Sequence, residues 1–298
     1  MGETFYKLAC LYALSLVQSE ITTALGPIQF GLAPGGSESA VHVLQSALDL
    51  HPEWVLLSTD ITNAFNSRNR SQILSTLFDT PTLSPLWRLA QWAYGSPSDL
   101  LLMDHGRLAA NYISSEGVRQ GDVLASLLFA LSMRNAYSSC IAGLDCCALV
   151  VVDDFYFSPP SQVFPDFDRF SSNLPDLGLS LNLPKSIALL PNEDSDLIEL
   201  CTSRNLPYTD TSIPALGTII SRYPDIISDW LVNQISKLHE PFFKALLDSR
   251  LSSQHAFTLL RSCVVPKMNY WSRVTSPGFF SAAALRFDNL MWRPFAYV

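Results

Sequence analysis

The sequence predicts an α+β fold in which short strands are crossed by helices and a helical segment follows. Short apolar runs end on acidic or glycine residues, and segments with apolar residues at helical spacing separate them. From about Ser228 onward the pattern is almost wholly helical. The chain has 298 residues, of which 48% are hydrophobic and 15% charged, so it can bury a core and is too apolar for disorder.

Each element follows from local pattern. The first hundred residues predict a helix through Val17, a Gly- and Pro-rich loop over Gly26 to Gly36, a helix from Ser37, a strand over Trp54 to Asp60, and helices at 70–78 and 85–94. The remainder predicts a strand at Asn111 to Ser115, a helix over Gly121 to Arg134, a hairpin built from Ala148 to Val152 and Phe155 to Phe157, strands at Gly178 to Asn182 and Ile213 to Ser221, and helices broken near Pro241 and Pro266.

Composition and charge narrow the function classes. No stretch approaches about 18 unbroken apolar residues, so we expect no membrane span. The net charge of −8 argues against a general polyanion binder. However, residues 237–298 carry 8 Lys and Arg against 3 Asp and Glu, which suits a phosphate backbone; a chance asymmetry on solvated helices explains the same count. The six cysteines show no CxxC pair, so we expect buried thiols and an intracellular location in cytoplasm, nucleus or both.

Three aspartates stand at the ends of apolar strands, namely Asp60 and the adjacent pair Asp153 and Asp154. Neighbouring carboxylates repel each other unless they are protonated or bridged by a cation. Mg²⁺ suits this role because it accepts one or two carboxylates and keeps positions for substrate phosphates. Two such ions stabilise the attacking and leaving oxygens of a displacement at phosphorus. Any one aspartate alone is better explained as a strand-capping turn residue, but the three together favour a metal site.

Five sequence blocks occur in the order found in reverse transcriptases of non-LTR retrotransposons, and the chain resembles that family. The blocks are LLSTDITNAFNSRNR (Leu56 to Arg70), SSEGVRQGDVLASLLFAL (Ser114 to Leu131), VVVDDFYF (Val150 to Phe157), GLSLNLPKS (Gly178 to Ser186) and PALGTIIS (Pro214 to Ser221). Upstream, QFGLAPGGSESAVHVLQ (Gln29 to Gln45) is similar to the family's Gly-Gly-x-Glu helix start. Each block alone is weak, whereas their order and spacing make the resemblance specific.

The resemblance implies a metal centre at the strand ends. Asp60 and Asp153 would hold two Mg²⁺ or Mn²⁺ ions, and Asp154 would contribute a smaller share. The backbone carbonyl of Ile61 would add a ligand. These are the same acids that the strand-end pattern singles out.

The resemblance also implies residues that serve the nucleotide. Phe65 would lie beneath the incoming sugar and exclude a 2′-OH, which selects deoxynucleotides. Gln120 and Gly121 would line the nucleotide site, since glycine permits close backbone approach. Lys185 is similar to a lysine that assists the leaving pyrophosphate. The plain alternatives are a core phenylalanine and a solvated lysine.

For the whole chain, the resemblance implies a polymerase palm, an antiparallel sheet with crossing helices. Residues 1–224 would form partial fingers and palm, and residues 225–298 a helical thumb-like segment. The implied reaction is RNA-directed DNA synthesis, in which a primer 3′-OH attacks the α-phosphate of a dNTP and pyrophosphate leaves. The implied partners are an RNA template, a DNA primer and dNTP; the oligomeric state is not indicated.

Three features depart from the family pattern. Val151 stands where an aromatic residue is usual, residues 1–236 are acidic, and the opening resembles the segment after an Arg-Pro-Ile strand that is absent here together with basic fingers. We therefore expect this chain to polymerise poorly or not at all, while nucleic-acid binding persists and weakens with salt. Two alternatives stay open: a degenerate or domesticated copy that folds and binds nucleic acid without polymerising, and a metal-dependent phosphodiesterase that uses the same acids.

Overall fold

The computed structural model describes residues 4–142, 147–158, 163–191, 194–248 and 250–295. The helices are α1 (Thr4–Ser15), α2 (Gln18–Leu25), α3 (Gly36–Leu50), α4 (Ala64–Ser67), α5 (Arg70–Phe78), α6 (Trp87–Tyr94), α7 (Ala125–Cys140), α8 (Val163–Asn173), α9 (Ser195–Ser203), α10 (Pro224–Gln234), α11 (Glu240–Leu246), α12 (Ser253–Leu259), α13 (Val265–Val274) and α14 (Pro277–Phe295). The strands are β1 (Leu56–Thr59), β2 (Ser98–Asp104), β3 (Arg107–Ser114), β4 (Cys147–Val151), β5 (Asp154–Ser158), β6 (Ile187–Leu189), β7 (Tyr208–Thr209), β8 (Ser212–Ala215) and β9 (Thr218–Ser221).

The central sheet has five strands in the order β4-β5-β1-β6-β7. Its first three strands are antiparallel neighbours, and their inner residues are apolar and almost fully buried. The rings of Tyr137 on α7 and Phe170 on α8 lie 4.9 and 5.1 Å from the ring of Phe155 on β5. This aromatic core fixes the middle of the sheet and therefore the strand ends that carry the aspartates. The mixture of helices with a sheet whose first three strands are antiparallel confirms the α+β prediction.

The chain forms two compact units that are discontinuous in sequence. The first unit comprises residues 1–36, 55–188 and 195–208, and the second comprises residues 37–54, 189–194 and 209–298. The first unit therefore contains all the predicted site residues. These units do not coincide with the sequence-based division at residues 224–225, whose assignment to palm, fingers and thumb stays a prediction.

Most predicted elements occur, and the exceptions have local causes. The helix at 70–78 coincides with α5, and the predicted hairpin is β4–β5. The predicted strand at Gly178 to Asn182 is wrong: only Leu181 forms an isolated bridge, to Ile61. The single strand predicted over Ile213 to Ser221 is instead the hairpin β8–β9, because its central residues, Leu216 and Gly217, have φ of 50° and 81° and turn the chain.

The C-terminal helices break where prolines predict it. Pro241 and Pro266 lie in the first turns of α11 and α13, and a π-helical turn precedes each, at Ile235–His239 and Leu260–Val264. Proline cannot donate the backbone hydrogen bond that a continuous helix needs. The wider π-helical turn accommodates the interruption in each case.

No single described helix is long and apolar enough to cross a membrane, although α1 and α2, bent by 74°, pass the length and composition test as a pair. Among the described cysteines, Cys10, Cys140 and Cys201 are buried as predicted, Cys147 is half-buried, and Cys263 is exposed. The prediction of six buried thiols is therefore wrong at Cys263, and Cys146 lies outside the described residues.

Candidate active site

The pairing of β1 with β5 brings the first aspartate to the second and third. Leu57 lies opposite Phe157 and Thr59 opposite Phe155 in this antiparallel pair. The pair ends there, so Asp60 directly follows the last paired residue of β1 and Asp154 directly precedes the last paired residue of β5. The Thr59 hydroxyl donates a hydrogen bond of 3.1 Å to the Phe155 carbonyl and secures the end of the pair.

Asp153 lies in the tight turn between β4 and β5. Val151 pairs with Asp154, so Val152 and Asp153 are the two turn residues. Val152 has φ of 62°, whereas Asp153 is not among the residues with positive φ. A positive φ at the first central residue alone is the pattern of a type II′ turn, which suits the twist of a hairpin. The turn holds Asp153 at the rim of the sheet, one residue before Asp154.

The pKa values of Asp153 and Asp154 are affected by burial and by neighbouring carboxylates. Burial raises the pKa of Asp153, and the charge of Asp60 adds to the increase. Burial also raises the pKa of Asp154 to about 6, with further contributions from the charges of Asp153 and Asp60. Like charges in a partly buried site disfavour ionisation. The site therefore holds more negative charge than the protein alone compensates.

A loop before β6 fixes Asp60. The Asn182 side-chain amide donates a hydrogen bond of 2.7 Å to Oδ2 of Asp60, and the Asn182 backbone N–H donates one of 2.8 Å to the Asp60 carbonyl. The Asp60 N–H donates in turn to the Ser186 hydroxyl at 3.1 Å. One oxygen of the carboxylate is thus engaged, which sets the orientation of the other.

Six of the eight predicted site residues line one pocket of about 270 Å³. They are Asp60, Ile61, Phe65, Gln120, Asp153 and Lys185. Asp154 and Gly121 are not among its lining residues. Blocks that lie more than a hundred residues apart in the chain therefore contribute to one concave site, while the individual roles stay predictions.

Phe65 is half-buried and stacks on Phe129 of α7, with ring centroids 4.8 Å apart and an angle of 11° between the planes. One part of the ring is packed in the core, and the residue also lines the pocket. The two interpretations of Phe65, core residue and sugar contact, are therefore compatible. A ring held by stacking makes a firm pocket wall.

The segment that carries Gln120 and Gly121 is fastened to the segment after Phe65. The Gly117 N–H donates to the Arg68 carbonyl at 2.8 Å, and the Val118 N–H donates to the Phe65 carbonyl at 2.7 Å. Gly117 has φ of 62°, and a Cβ there would meet the Phe65 carbonyl oxygen at 2.2 Å. Only glycine permits this approach.

Arg70 adds a second attachment for the same segment. Its buried guanidinium donates to the carbonyl of Gly117 at 2.8 Å and to the carbonyl and hydroxyl of Ser114 at 2.7 and 2.6 Å. The group also lies over the Tyr94 ring, 5.4 Å from its centroid. Gly121 has φ of 82° with nothing within 4 Å of a Cβ position, so its backbone conformation, not crowding, favours glycine. Gln120 is exposed at the pocket.

Sequence reasoning missed the residues that position the site. Asn182 and Ser186 lie in the block that ends at Lys185, but only their contacts with Asp60 show their part. Arg70 closes the Asp60 block, and a buried arginine without an acidic neighbour in sequence carries no local signal. The signal that could have found Asn182 is its position in the same block as Lys185, three residues before it.

A divalent cation fits the donor chemistry of this site. No group of three or more His, Cys, Asp or Glu side chains among the described residues is arranged to hold a metal by itself. However, Mg²⁺ commonly takes one or two carboxylates and leaves its other positions to water and substrate phosphates. The carboxylates of Asp60, Asp153 and Asp154 meet that requirement. They repel each other, and they take part in none of the ion pairs of the described residues.

Solved structures of similar fold include telomerases. The telomerase from Candida albicans, in complex with a fragment of telomeric RNA, matches with a TM-score of 0.51 and 13% identity, covering 97% of this chain and 50% of that chain. The apo telomerase from Candida tropicalis matches with a TM-score of 0.51 and 11% identity, covering 93% and 54%. At such identities the likeness establishes the fold, and it confirms a polymerase-like α+β architecture.

Sequence comparison gives the family. A retrotransposable element SLACS 132 kDa protein from Trypanosoma brucei gambiense is 34% identical over 125 residues, which are 42% of this chain and 10% of that protein. The chain thus spans a tenth of this relative and about half of the telomerase chains. The family described as reverse transcriptase (RNA-dependent DNA polymerase) matches residues 7–220. These matches confirm the resemblance drawn from the sequence blocks, and the chain belongs to the reverse transcriptase family.

Proposed function

We propose that this chain carries the catalytic site of an RNA-directed DNA polymerase that transfers a nucleotide from a dNTP to a primer 3′-OH. The observation that carries the proposal is the single pocket that Asp60 and Asp153 share with Phe65, Gln120 and Lys185. A carboxylate pair alone suits any metal-dependent phosphoryl transfer. The aromatic and amide side chains beside it suit a nucleotide.

Asp60 and Asp153 would hold two divalent cations, with Asp154 and the Ile61 carbonyl as lesser contributors. When bound, such ions neutralise the charge of the reacting phosphate and stabilise the attacking and leaving oxygens. The protein's own part is to hold the carboxylates in place. The hydrogen bond from Asn182 to Asp60 supports this, because it leaves the second carboxylate oxygen for a cation.

Phe65 and Gln120 would orient the substrate. The stacked, half-buried Phe65 ring forms a firm wall that a 2′-OH would meet, which favours a deoxyribose. Gln120 is exposed at the pocket and offers an amide to the base or sugar. Positioning of this kind supplies much of the rate in phosphoryl transfer, because there is little covalent chemistry for the protein to perform.

Lys185 would serve the departing pyrophosphate. Its side chain is exposed and lines the pocket with the two aspartates. A cation there stabilises negative charge that develops on the leaving group, and removal of one such contact commonly costs about 10²–10³ in rate.

An RNA template and a DNA primer would be the nucleic-acid partners. Within the second unit, Lys237, Arg261 and Lys267 are exposed, and none of the ion pairs of the described residues includes them. By contrast, Lys244, Arg250, Arg273 and Arg286 are paired with acids. Unpaired exposed cations are suited to phosphate contacts.

The experiment is extension of a labelled DNA primer on an RNA template with dNTPs and Mg²⁺. Wild type should add nucleotides that match the template, even if slowly, and Asp60→Asn should not. Asp104→Asn is the matched control, because Asp104 is an exposed aspartate at the end of β2 and lies outside the pocket. Equal extension by Asp60→Asn would contradict the proposal.

The same assay separates the alternatives. Primer shortening in place of extension would identify a phosphodiesterase. Salt-sensitive binding of the primer–template by a folded protein that adds no nucleotide would identify the degenerate copy. The gel distinguishes extension, shortening and unchanged primer, and a salt-titrated binding assay on the same protein identifies the third case.

A further inference from the structure

The turn that carries Asp153 has an unusual backbone. Val152 has φ of 62°, in the left-handed region. A β-branched residue rarely adopts this conformation, because its Cβ substituents crowd the backbone. Such residues persist only where the surroundings hold them. Some contact outside the two-residue turn must therefore supply the restraint.

The restraint comes from Gln29, more than a hundred residues upstream. Its side-chain oxygen accepts a hydrogen bond of 2.9 Å from the N–H of Val152. The same oxygen accepts one of 2.9 Å from the N–H of Gly31. A single amide therefore connects the turn to the segment after α2. It also gives the Val152 N–H a hydrogen-bond partner from outside the hairpin.

The backbone around Gln29 is fixed to the same hairpin. The Phe30 N–H donates to the Val150 carbonyl at 2.7 Å, and the Val150 N–H donates to the Ile28 carbonyl at 2.7 Å. These bonds set Gln29 beside Val150 in a parallel bridge. The Gln29 side chain therefore reaches the turn from a rigid base.

Gly31 completes the contact by its lack of a side chain. A Cβ at Gly31 would lie 2.5 Å from Cγ2 of Val152 and 2.7 Å from the Val152 nitrogen. The second of these is a backbone atom, which cannot move aside without shifting the turn. The close approach of the two segments thus requires glycine.

We propose that Gln29, with Gly31, is a positioning element that holds the left-handed Val152 turn and thereby sets the place of Asp153 at the pocket and of the adjacent Asp154. The catalytic consequence rests on the proposed polymerase function, whereas the effect on the turn does not. Gln29 touches no substrate in this scheme and acts through the backbone of the turn. Its loss should loosen the aspartate turn before it unfolds the unit.

The test combines Gln29→Leu with Val152→Gly. Leucine fills similar space and accepts no hydrogen bond, so amide hydrogen exchange at residues 152–154 should rise about tenfold. Glycine adopts the left-handed conformation freely, so the double variant should return exchange at residues 153 and 154 close to the wild-type rate. Gln18→Leu is the control, since Gln18 is an exposed glutamine at the start of α2.

Each outcome either supports or overturns the positioning role of Gln29. Unchanged exchange in Gln29→Leu, or exchange that Val152→Gly does not restore, would overturn the proposal. If Gln29→Leu does not fold but the double variant does, the result supports the proposal. If neither variant folds, the proposal is overturned, because Gln29 is then a general structural residue. Single-nucleotide addition is a second readout: it should fall about tenfold and recover in the double variant. Absence of addition by wild type would count against the polymerase function and leave the exchange result to decide the role of Gln29.

Discussion

Replacing Asp154 with asparagine should stabilise the protein when no divalent metal is present. Asp154 lies beside two other carboxylates, and its pKa is raised from the ordinary 3.8 to about 6, first by burial and then by the charges of Asp153 and Asp60. Each pKa unit corresponds to about 1.4 kcal/mol, so ionised Asp154 costs the folded state at most about 3 kcal/mol. Screening by salt and water lowers the expected gain to about 1–2 kcal/mol.

The pH dependence gives this prediction its sign. A carboxyl with a raised pKa binds its proton more tightly in the folded state than in the unfolded state, so its ionisation opposes folding. The cost is absent below about pH 4, grows between pH 4 and 6, and is complete above pH 6. Asparagine carries no charge at any of these values, so the advantage of Asp154→Asn should appear over the same interval.

Thermal unfolding in EDTA measures the effect. At pH 7.5 we expect Asp154→Asn to raise Tm by about 2–3 °C, and at pH 4 we expect the two proteins to melt together. Added Mg²⁺ should stabilise wild type more than the variant. Asp104→Asn, which removes an exposed aspartate, should change Tm little at either pH. A Tm that falls, or a shift that does not depend on pH, would refute the claim that repelling carboxylates share the site.

Three further predictions concern Phe65 and Asn182, which line the pocket, and Arg70, which holds the segment that carries Gln120. Phe65→Ala should raise the use of ribonucleotides relative to deoxynucleotides by about ten- to a hundredfold, because a steric wall is lost; competition between dNTP and rNTP measures it, and an unchanged ratio would assign Phe65 to the core alone. Asn182→Ala should weaken Mn²⁺ binding or activity by about ten- to a hundredfold, because Asp60 loses its orienting hydrogen bond; affinity equal to wild type would exclude that role. Arg70→Met should destabilise the protein by about 1–3 kcal/mol, because three carbonyl and hydroxyl oxygens lose their donor; urea unfolding checks it, and a neutral effect would contradict the attachment.

Local pattern was sufficient for the hairpin that carries Asp153 and Asp154 and for helix α5. Alternating and β-branched residues around Asp153 and Asp154 predict a hairpin, and the structure has β4 and β5 there. The helix at 70–78 ends at Phe78 as predicted. In both cases the signal is short-range, since apolar spacing determines which face is buried.

Strand β2 and the segment at Gly178 show where local pattern is insufficient. Leu100, Leu101 and Leu102 form an unbroken apolar run with no alternation, so the strand that pairs with β3 was not predicted. GLSLN has the alternation of a strand, but long-range hydrogen bonds with the Asp60 segment hold it as a loop with one bridge.

Contacts between distant segments account for what was missed at the site. Gln29 meets Val152 across more than a hundred residues, and Asn182 meets Asp60 across a similar span. A single side-chain hydrogen bond leaves no periodic trace in the sequence. The sequence blocks therefore predicted six residues that line the pocket and did not predict which residues hold them in position.

The central claim is that Asp60 and Asp153 form one cation-binding nucleotide site. Calorimetric titration of Mn²⁺ into wild type and Asp153→Asn, with and without a dNTP, tests it most directly and requires no turnover. We expect weak binding to wild type that tightens when the dNTP is present, and little or no binding to Asp153→Asn beyond that of the dNTP alone. Equal binding to both proteins would contradict the account.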